Sequence, residues 1–137
     1  MAEMGPPKTF FVGVKGIIVQ KDKVLLLRKD IGRVFWDAPG GRINGRETIP
    51  QTLLRELHEE LPSIEGVTIG ELLYACVLDR DIKDDISLNL LFYRIDVTMK
   101  GDVVLSSEHS DYKWMTFEEA IEKGSEGIPE AVALLDS

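Results

Sequence analysis

Residues 39–63 read PGGRINGRETIPQTLLRELHEELPS, and this stretch decides the fold that we predict. Its first part holds the pair Gly40 and Gly41, with Pro39 stiffening the entry. Glycine lets the backbone approach a ligand closely, so the pair can offer carbonyls to a metal ion or amides to a phosphate group. Turns also use glycine pairs widely. We therefore predict a loop over 39–46, with a binding role only if the following residues support one.

The second part of the stretch is predicted to be a helix. Thr48 followed by Gln51 forms a capping-box pattern, and Pro50 fits a first turn, whose amides have no helical partners in any case. Proline also disfavours the helical conformation at the residue before it, which here is the Leu61 that precedes Pro62. We expect the helix to begin after Thr48 and to stop at about Leu61.

This helix is predicted to have one apolar face and one acidic face. At about 100° per residue, three leucines share one arc and three glutamates lie on the other side. Like charges this close repel each other, and Arg55 is spaced to pair only with Glu59, its i+4 neighbour. The acidic face is either a solvated surface or a site for a hard divalent cation, which prefers oxygen ligands. The leucines are Leu54, Leu57 and Leu61, and the glutamates are Glu56, Glu59 and Glu60.

The rest of the sequence predicts a mixed α/β domain. Apolar runs at 10–19 and 24–28 predict a hairpin, and those at 68–79 and 86–99 predict two long paired strands. The shorter predicted elements are a strand that includes Phe35 and Trp36, a strand over 111–115, a helix over 116–124 and a last helix that begins near Pro129.

The composition bounds the classes of partner. A length of 137 residues predicts one domain over residues 1–137. A net charge of −8 without a basic block argues against a nucleic-acid polymer, although metal ions can join an acidic protein to a small phosphorylated ligand. No apolar run approaches the roughly 18 residues of a membrane span, and the first residues lack a signal-peptide pattern. We expect a cytoplasmic protein with no membrane partner.

The motif itself resembles a known family. Gly41, five residues, Glu47, seven residues and then RELHEE over 55–60 match the Nudix hydrolase signature G-x5-E-x7-R-E-U-x-E-E-x-G-U, where U is a bulky aliphatic residue. The segments FWDAPGG and EHSDYKWMTFEEA are also similar to parts of that family. The resemblance implies an α/β/α sandwich around a mixed β-sheet. Pro62 departs from the signature glycine, so the helix should leave by a different turn, after all three glutamates.

The resemblance also implies a reaction and roles for the motif residues. Nudix hydrolases cleave a pyrophosphate bond in a nucleoside diphosphate linked to another group, using Mg²⁺ or Mn²⁺. Arg55 would orient the carboxylate face, and Glu47 would position the loop or contribute through water. The general base would be a glutamate of the motif or a carboxylate of a distant loop, for which Glu108 is the candidate; the alternative is that Glu108 is an ordinary exposed acid of its loop. The implied metal ligands are Glu56, Glu59, Glu60 and Gly41, and the first two are also the catalytic candidates of the motif.

Each residue that is a candidate for contacting the substrate has two possible interpretations. Arg28 could reach a phosphate or form a surface ion pair, and Trp36 could stack on a base or fill the core. Gly40 and Gly41 could cradle a phosphate. His109 could contact substrate or be incidental in its loop.

The substrate class is the least specified part of the prediction. The family's proline and tyrosine hints after the motif are absent, because residues 78–80 read LDR. This favours a nucleoside triphosphate pyrophosphohydrolase, with an ADP-ribose or nucleotide-sugar pyrophosphatase or a nucleotide-sensing domain as alternatives. A sensor would commonly have lost glutamates that are all present here, and an isomerase on this scaffold would need a cysteine earlier than Cys76, the only one. A homodimer is left open beside a monomer.

Overall fold

The computed structural model describes residues 5–135, which form a mixed α/β structure with three helices. Within that range, no helix has both the length and the apolar character needed to cross a membrane. The strands are β1 Thr9–Gln20, β2 Lys23–Asp30, β3 Val34–Asp37, β4 Gly40–Arg42, β5 Ile64–Val77, β6 Ile86–Met99 and β7 Asp111–Thr116. The helices are α1 Ile49–Glu60, α2 Phe117–Lys123 and α3 Ile128–Ala133.

Strand β1 lies at the centre of the sheet because it pairs with three other strands. It runs antiparallel to β2 and β4 and parallel to β6, with Thr9 opposite Ile86 at one end and Ile18 opposite Ile95 at the other. The strand order is β3-β2-β1-β6-β5, with β4 beside β1 and β7 beside β2. The predicted mixed sheet is therefore confirmed.

Successive side chains of β1 point to opposite faces of the sheet and enter two hydrophobic clusters. Ile17 packs in the cluster that includes residues of α2 and α3, whereas Ile18 packs in the cluster that includes the leucines of α1. One helix therefore covers one face and two helices cover the other, which confirms the α/β/α sandwich. The first cluster includes Ile17, Leu26, Phe92, Ala120 and Ile128, and the second includes Ile18, Leu25, Leu53, Leu57 and Ile95.

The limits of α1 agree with the sequence prediction. Thr48 accepts a hydrogen bond from the Gln51 amide, and the Gln51 side chain accepts one from the Thr48 amide, so both bonds of the capping box are present. At the other end, the Leu61 amide donates to the Leu57 carbonyl at 2.8 Å, and the chain then turns at Pro62 into β5. The helix ends where proline was expected to end it.

The glycine segment is not wholly the loop that we predicted, because Gly40–Arg42 form strand β4. This strand pairs with Gly13, Val14 and Lys15 of β1. Gly40 has a φ of +147°, and a side chain there would collide with the Val14 carbonyl. The sequence did not indicate this strand because glycine has low strand propensity and the pairing depends on the tertiary structure.

The buried face of α1 also differs from the predicted one. Leu53 is fully buried, while Leu54 is 37% exposed, so the face that packs on the sheet is rotated by one residue from the predicted arc. The same rotation takes Glu60 into the interior, where it is only 6% exposed. Periodicity alone could not choose between Leu53 and Leu54, because both fit a helical spacing with Leu57.

Glu47 fastens the connection between β4 and α1. Its carboxylate accepts hydrogen bonds from the Asn44 amide at 2.9 Å and from the Thr52 hydroxyl at 3.0 Å. Arg55 Nε lies 2.7 Å from the same carboxylate. The predicted pairing of Arg55 only with Glu59 is wrong, because Glu47 and Glu56 are its closer partners and Glu59 stands 3.6 Å away.

We expect this network to make folding stability depend on acidity. The guanidinium hydrogen bond from Arg55 lowers the pKa of Glu47 to about 2, from an ordinary 4.5. A carboxyl whose folded-state pKa is depressed stabilises the fold above its unfolded pKa, and that stabilisation is lost as pH falls from about 4.5 toward 2. Glu47→Gln should therefore lower the urea midpoint near neutrality, and its difference from wild type should shrink over that acid range. Glu71→Gln, at an exposed position of β5, is the matched control. A Glu47→Gln difference that stays constant across the range would contradict the assignment.

A second prediction concerns Pro62, which is exposed in the turn after α1. Glycine there would recover a left-handed helix cap but would lose the restriction that proline imposes on the unfolded chain. Because these effects oppose each other, we expect Pro62→Gly to change the free energy of unfolding by no more than about 1 kcal/mol. Chemical denaturation measures this change. A larger loss, or a loss of divalent-metal binding, would mean that the proline positions the end of α1.

Candidate active site

The glycine strand β4 and the helix α1 meet at Gly41. A Cβ atom at this position would collide with the Glu56 carboxylate, which fills the space beside the backbone. Arg55 then joins the two elements, since its guanidinium donates to the Arg42 carbonyl at 3.2 Å and to Glu56 Oε1 at 2.7 Å. The absence of a side chain at Gly41 is therefore what lets the acidic face of the helix lie against the strand.

Glu60 is the buried carboxylate of this face. Its Oε2 atom accepts a hydrogen bond from the Gly40 amide at 2.7 Å. Burial raises the pKa of Glu60 to about 7, while the Gly40 amide and the nearby Lys15 ammonium oppose that rise. The ionised carboxylate is thus poorly solvated and gains from any additional positive charge placed beside it.

A loop from the far end of the chain reaches the same carboxylate. Glu60, Glu108 and His109 each have a ligand atom within 4.8 Å of the others. His109 is buried, with Nε2 at 3.8 Å from Glu60 Oε1. Burial first, and the Lys29 charge second, lower the pKa of the His109 imidazole. The structure places the candidate Glu108 close to Glu60, at the end of α1.

The structure does not gather all the candidate ligands at one point. Glu56 and Glu59 are not members of the group that contains Glu60 and Glu108. Glu56 Oε1 lies 2.7 Å from Arg55 Nη1, and the Glu59 side chain is 61% exposed. The three glutamates of the acidic face therefore differ in environment: Glu59 is exposed, Glu56 is ion-paired and Glu60 is buried.

The sequence did not lead us to predict an ion pair between Lys15 and Asp37, which lies near this site. Lys15 Nζ lies 3.1 Å from Asp37 Oδ2 and 3.3 Å from the Ala38 carbonyl, and the ion pair is largely buried. Asp37 Oδ1 also accepts from the Ser125 hydroxyl at 3.3 Å. The available signal was a lysine inside the apolar run FFVGVKGIIV, since lysine is almost never buried unless it is paired.

Arg28 and Trp36 stand directly opposite each other on β2 and β3. Arg28 donates from Nη1 to the Ser110 hydroxyl at 3.1 Å, so it holds the loop that carries Glu108 and His109. Trp36 lines a cleft of about 740 Å³. This cleft is lined by β3 and the residue before it, by the end of α2 and the segment that follows it, and by one arginine from the turn before β6: Arg33, Val34, Phe35, Trp36, Lys123, Gly124, Ser125, Glu126 and Arg80.

The acidic side chains of α1 and of the loop that carries Glu108 fit a divalent cation. Their carboxylate oxygens are the hard ligands that Mg²⁺ and Mn²⁺ accept. Within residues 5–135, no lysine or arginine forms an ion pair with the buried Glu60 carboxylate, which instead faces the His109 imidazole at 3.8 Å, and the buried His109 Nδ1 has no hydrogen-bond partner. The residues that could hold such an ion are Glu56, Glu59, Glu60, Glu108 and His109.

Comparisons with known proteins agree with the motif and the fold. The family model described as NUDIX domain matches residues 9–135. No curated protein matches the sequence. The solution structure of the E. coli ORF135 protein is similar, with 25% identity, a TM-score of 0.77, and coverage of 95% of this chain and 92% of that one.

Two further solved structures share the fold at lower identity. The MutT protein from Methanosarcina mazei Go1 has 22% identity and a TM-score of 0.72, covering 93% of each chain. The E. coli dihydroneopterin triphosphate pyrophosphohydrolase has 19% identity and a TM-score of 0.73, covering 91% of this chain and 95% of that one. Because the family model spans nearly the whole sequence and the motif lies inside it, the chain belongs to the NUDIX domain family and is a hydrolase that acts on pyrophosphate bonds.

Proposed function

We propose that this enzyme is a Mg²⁺-dependent nucleoside triphosphate pyrophosphohydrolase, with Mn²⁺ able to replace Mg²⁺. The observation that carries the proposal is the buried Glu60 carboxylate, which is bonded to the glycine strand and faces a loop carboxylate. The similarity to a dihydroneopterin triphosphate pyrophosphohydrolase supports a triphosphate as the substrate class, because that enzyme's name specifies one.

Glu56 and Glu60 would hold the metal, with Glu59 and the backbone of Gly41 beside them. The bound ion would neutralise phosphate charge and lower the pKa of the attacking water. Arg55 would keep the Glu56 carboxylate turned toward Gly41, since it contacts that carboxylate at 2.7 Å. This is a positioning role, and it does not require contact between Arg55 and the substrate.

The reaction requires a base for the attacking water. Water adds to a phosphorus atom of the anhydride, one P–O bond breaks, and pyrophosphate leaves the nucleoside monophosphate. Glu59 is the carboxylate of the motif best suited to accept the water proton, because it is exposed and makes only a long 3.6 Å ion pair. Glu56 is tied to Arg55, and so it suits charge stabilisation better. Glu108 is the alternative base from the distant loop.

The cleft beside β3 would hold the nucleoside end of the substrate. Its volume of about 740 Å³ lies in the range of small-molecule sites. Phe35 and Trp36 offer ring faces for a base, and the Arg33 guanidinium already stacks 5.0 Å from the centre of the Phe35 ring. The nearby Arg80 adds positive charge, although its guanidinium also pairs with Glu126 at 3.0 Å. Arg28, opposite Trp36, would face the phosphates.

The remaining expectations are compatible with this function and stay predictions. We propose that residues 1–137 act as one domain in the cytoplasm, where free nucleotides are available. Small nucleotides, and not nucleic-acid polymers or membranes, are the proposed partners. A homodimer stays open beside a monomer.

A panel of nucleotides with Mg²⁺ tests the proposed substrate class. We expect nucleoside triphosphates to yield a monophosphate and pyrophosphate in equal amounts, because cleavage falls between the first and second phosphates. Chromatography of the nucleotide and separate assays of phosphate and pyrophosphate measure this. Turnover only of ADP-ribose or a nucleotide sugar would favour the alternative hydrolase, and binding without turnover would favour a sensor.

A matched pair of variants tests the role of Glu60. Glu60→Gln should reduce turnover on the order of 100-fold or more, because it removes a metal-binding charge but keeps the acceptor for the Gly40 amide. The ionised Glu60 destabilises the fold as pH rises from about 4.5 to 7, so the metal-free variant should melt no lower than wild type above that range. Glu65→Gln, an exposed residue of β5, is the control for both measurements.

Metal-induced stabilisation completes the test. An ion that binds only the folded protein raises its melting temperature by mass action. Mg²⁺ should therefore raise the melting temperature of wild type and Glu65→Gln more than that of Glu60→Gln, at matched ionic strength. An active Glu60→Gln enzyme with an unchanged Mg²⁺ requirement would remove Glu60 from the site.

A further inference from the structure

We propose that His109 is a metal ligand, and that its imidazole joins the Glu60 and Glu108 carboxylates in a mixed nitrogen and oxygen site that favours first-row transition ions over Mg²⁺. The inference deepens the metal requirement proposed above and rests on it. It adds a residue outside the glutamate motif and a preference among ions that the motif alone does not imply.

The first argument is the unsatisfied imidazole. The His109 side chain is only 3% exposed, and its Nδ1 atom has no hydrogen-bond partner among the described residues. Nε2 stands 3.8 Å from Glu60 Oε1, which is beyond hydrogen-bonding distance. A buried polar atom without a partner is costly, and an ion or a water molecule is the usual explanation. Nε2 is the nitrogen nearest the Glu60 carboxylate, so it is the atom that an ion shared with Glu60 and Glu108 would contact, while Nδ1 would be left for a water molecule or for a rotated ring.

The second argument is geometric. Ligand atoms about 2.1 Å from one ion lie at most roughly 4.2 Å apart. The ligand atoms of Glu60, Glu108 and His109 already lie within 4.8 Å of one another, and His109 Nε2 is 3.8 Å from Glu60 Oε1. Side-chain adjustments of well under an ångström would let all three contact one ion. Glu108 is exposed, so an ion from solvent can reach the buried pair.

The third argument is that the loop is held at both sides of His109. The Ser106 amide donates to the Glu60 carbonyl at 3.1 Å, which ties the start of the loop to the end of α1. On the other side, the Ser110 amide donates to the Arg28 carbonyl at 3.1 Å, and Arg28 Nη1 donates to the Ser110 hydroxyl. These bonds fix the imidazole beside Glu60 before any ion binds.

The ligand set decides which ions are favoured. Mg²⁺ prefers oxygen ligands and retains several waters, so an imidazole adds little to its binding. Imidazole suits Co²⁺, Ni²⁺ and Zn²⁺, and Mn²⁺ accepts it while resembling Mg²⁺ in its preference for carboxylates. The group of Glu60, Glu108 and His109 should therefore bind Co²⁺ and Mn²⁺ through nitrogen as well as oxygen.

Pulsed electron paramagnetic resonance of bound Mn²⁺ tests the inference directly. The metal-free protein is given less than one equivalent of Mn²⁺, without nucleotide. We expect nitrogen coupling of the kind that a ligated imidazole produces. His58→Gln is the matched control, because His58 is exposed on α1 and is the only other histidine. The coupling should persist in His58→Gln and disappear in His109→Gln.

Binding measurements give a second, independent result. His109→Gln should weaken Co²⁺ binding about tenfold or more, while Mg²⁺ binding changes by less than about threefold. His58→Gln should change neither. If His109→Gln does not fold, the nitrogen coupling in His58→Gln still decides, since His109 is then the only histidine. Absence of nitrogen coupling in wild type would overturn the inference.

The outcomes separate this inference from the proposed function. If the enzyme releases pyrophosphate from triphosphates but shows no nitrogen coupling, the proposed function is supported and the proposal that His109 is a metal ligand is wrong. If the protein shows nitrogen coupling but turns over no nucleotide, His109 is supported as a metal ligand and the proposed function is wrong.

Discussion

A hydrogen bond between the Gly40 amide and the Glu60 carboxylate joins the two halves of the motif, and much of the site is arranged around it. It requires a backbone with positive φ at Gly40, which strand β4 supplies while it pairs with β1. It also requires that α1 still be helical at Glu60 and that this turn face the sheet. If any of these conditions were lost, the Glu60 carboxylate would lie in the interior without a hydrogen bond from the Gly40 amide. The desolvation penalty of such an unsatisfied buried acceptor exceeds the net free energy that one hydrogen bond contributes.

The three glutamates of the acidic face of α1 have different partners. Glu60 is held inside by the strand, Glu56 is held over Gly41 by Arg55, and Glu59 remains in solvent. Three chemically identical side chains thus acquire different charge environments through their position on one helix. Such separation lets one carboxylate bind a cation while another accepts a proton.

Local signals in the sequence predicted the elements well and their contacts poorly. The capping box at Thr48 and the break at Pro62 depend only on neighbouring residues, so the limits of α1 could be predicted. The strand at Gly40, the burial of Glu60 and the partners of Arg55 depend on which arc of the helix meets the sheet. The Lys15–Asp37 ion pair depends on strands that are separate in the sequence. The motif identified the family, whereas the loop residue His109 gained meaning only from its burial beside Glu60.

The parallel pairing of β1 with β6 also constrains how the chain acquires its structure. Thr9 lies opposite Ile86, so the central ladder joins segments separated by more than half of the sequence. During synthesis from the N-terminus, β1 can pair with β2 and β4 early, but its other edge waits for β6. Pairings between distant segments close large loops and slow folding, and an unpaired apolar strand invites association with other chains while it waits. The centre of the sheet is thus completed late, and a nascent chain would gain most from protection before residue 99 has been made.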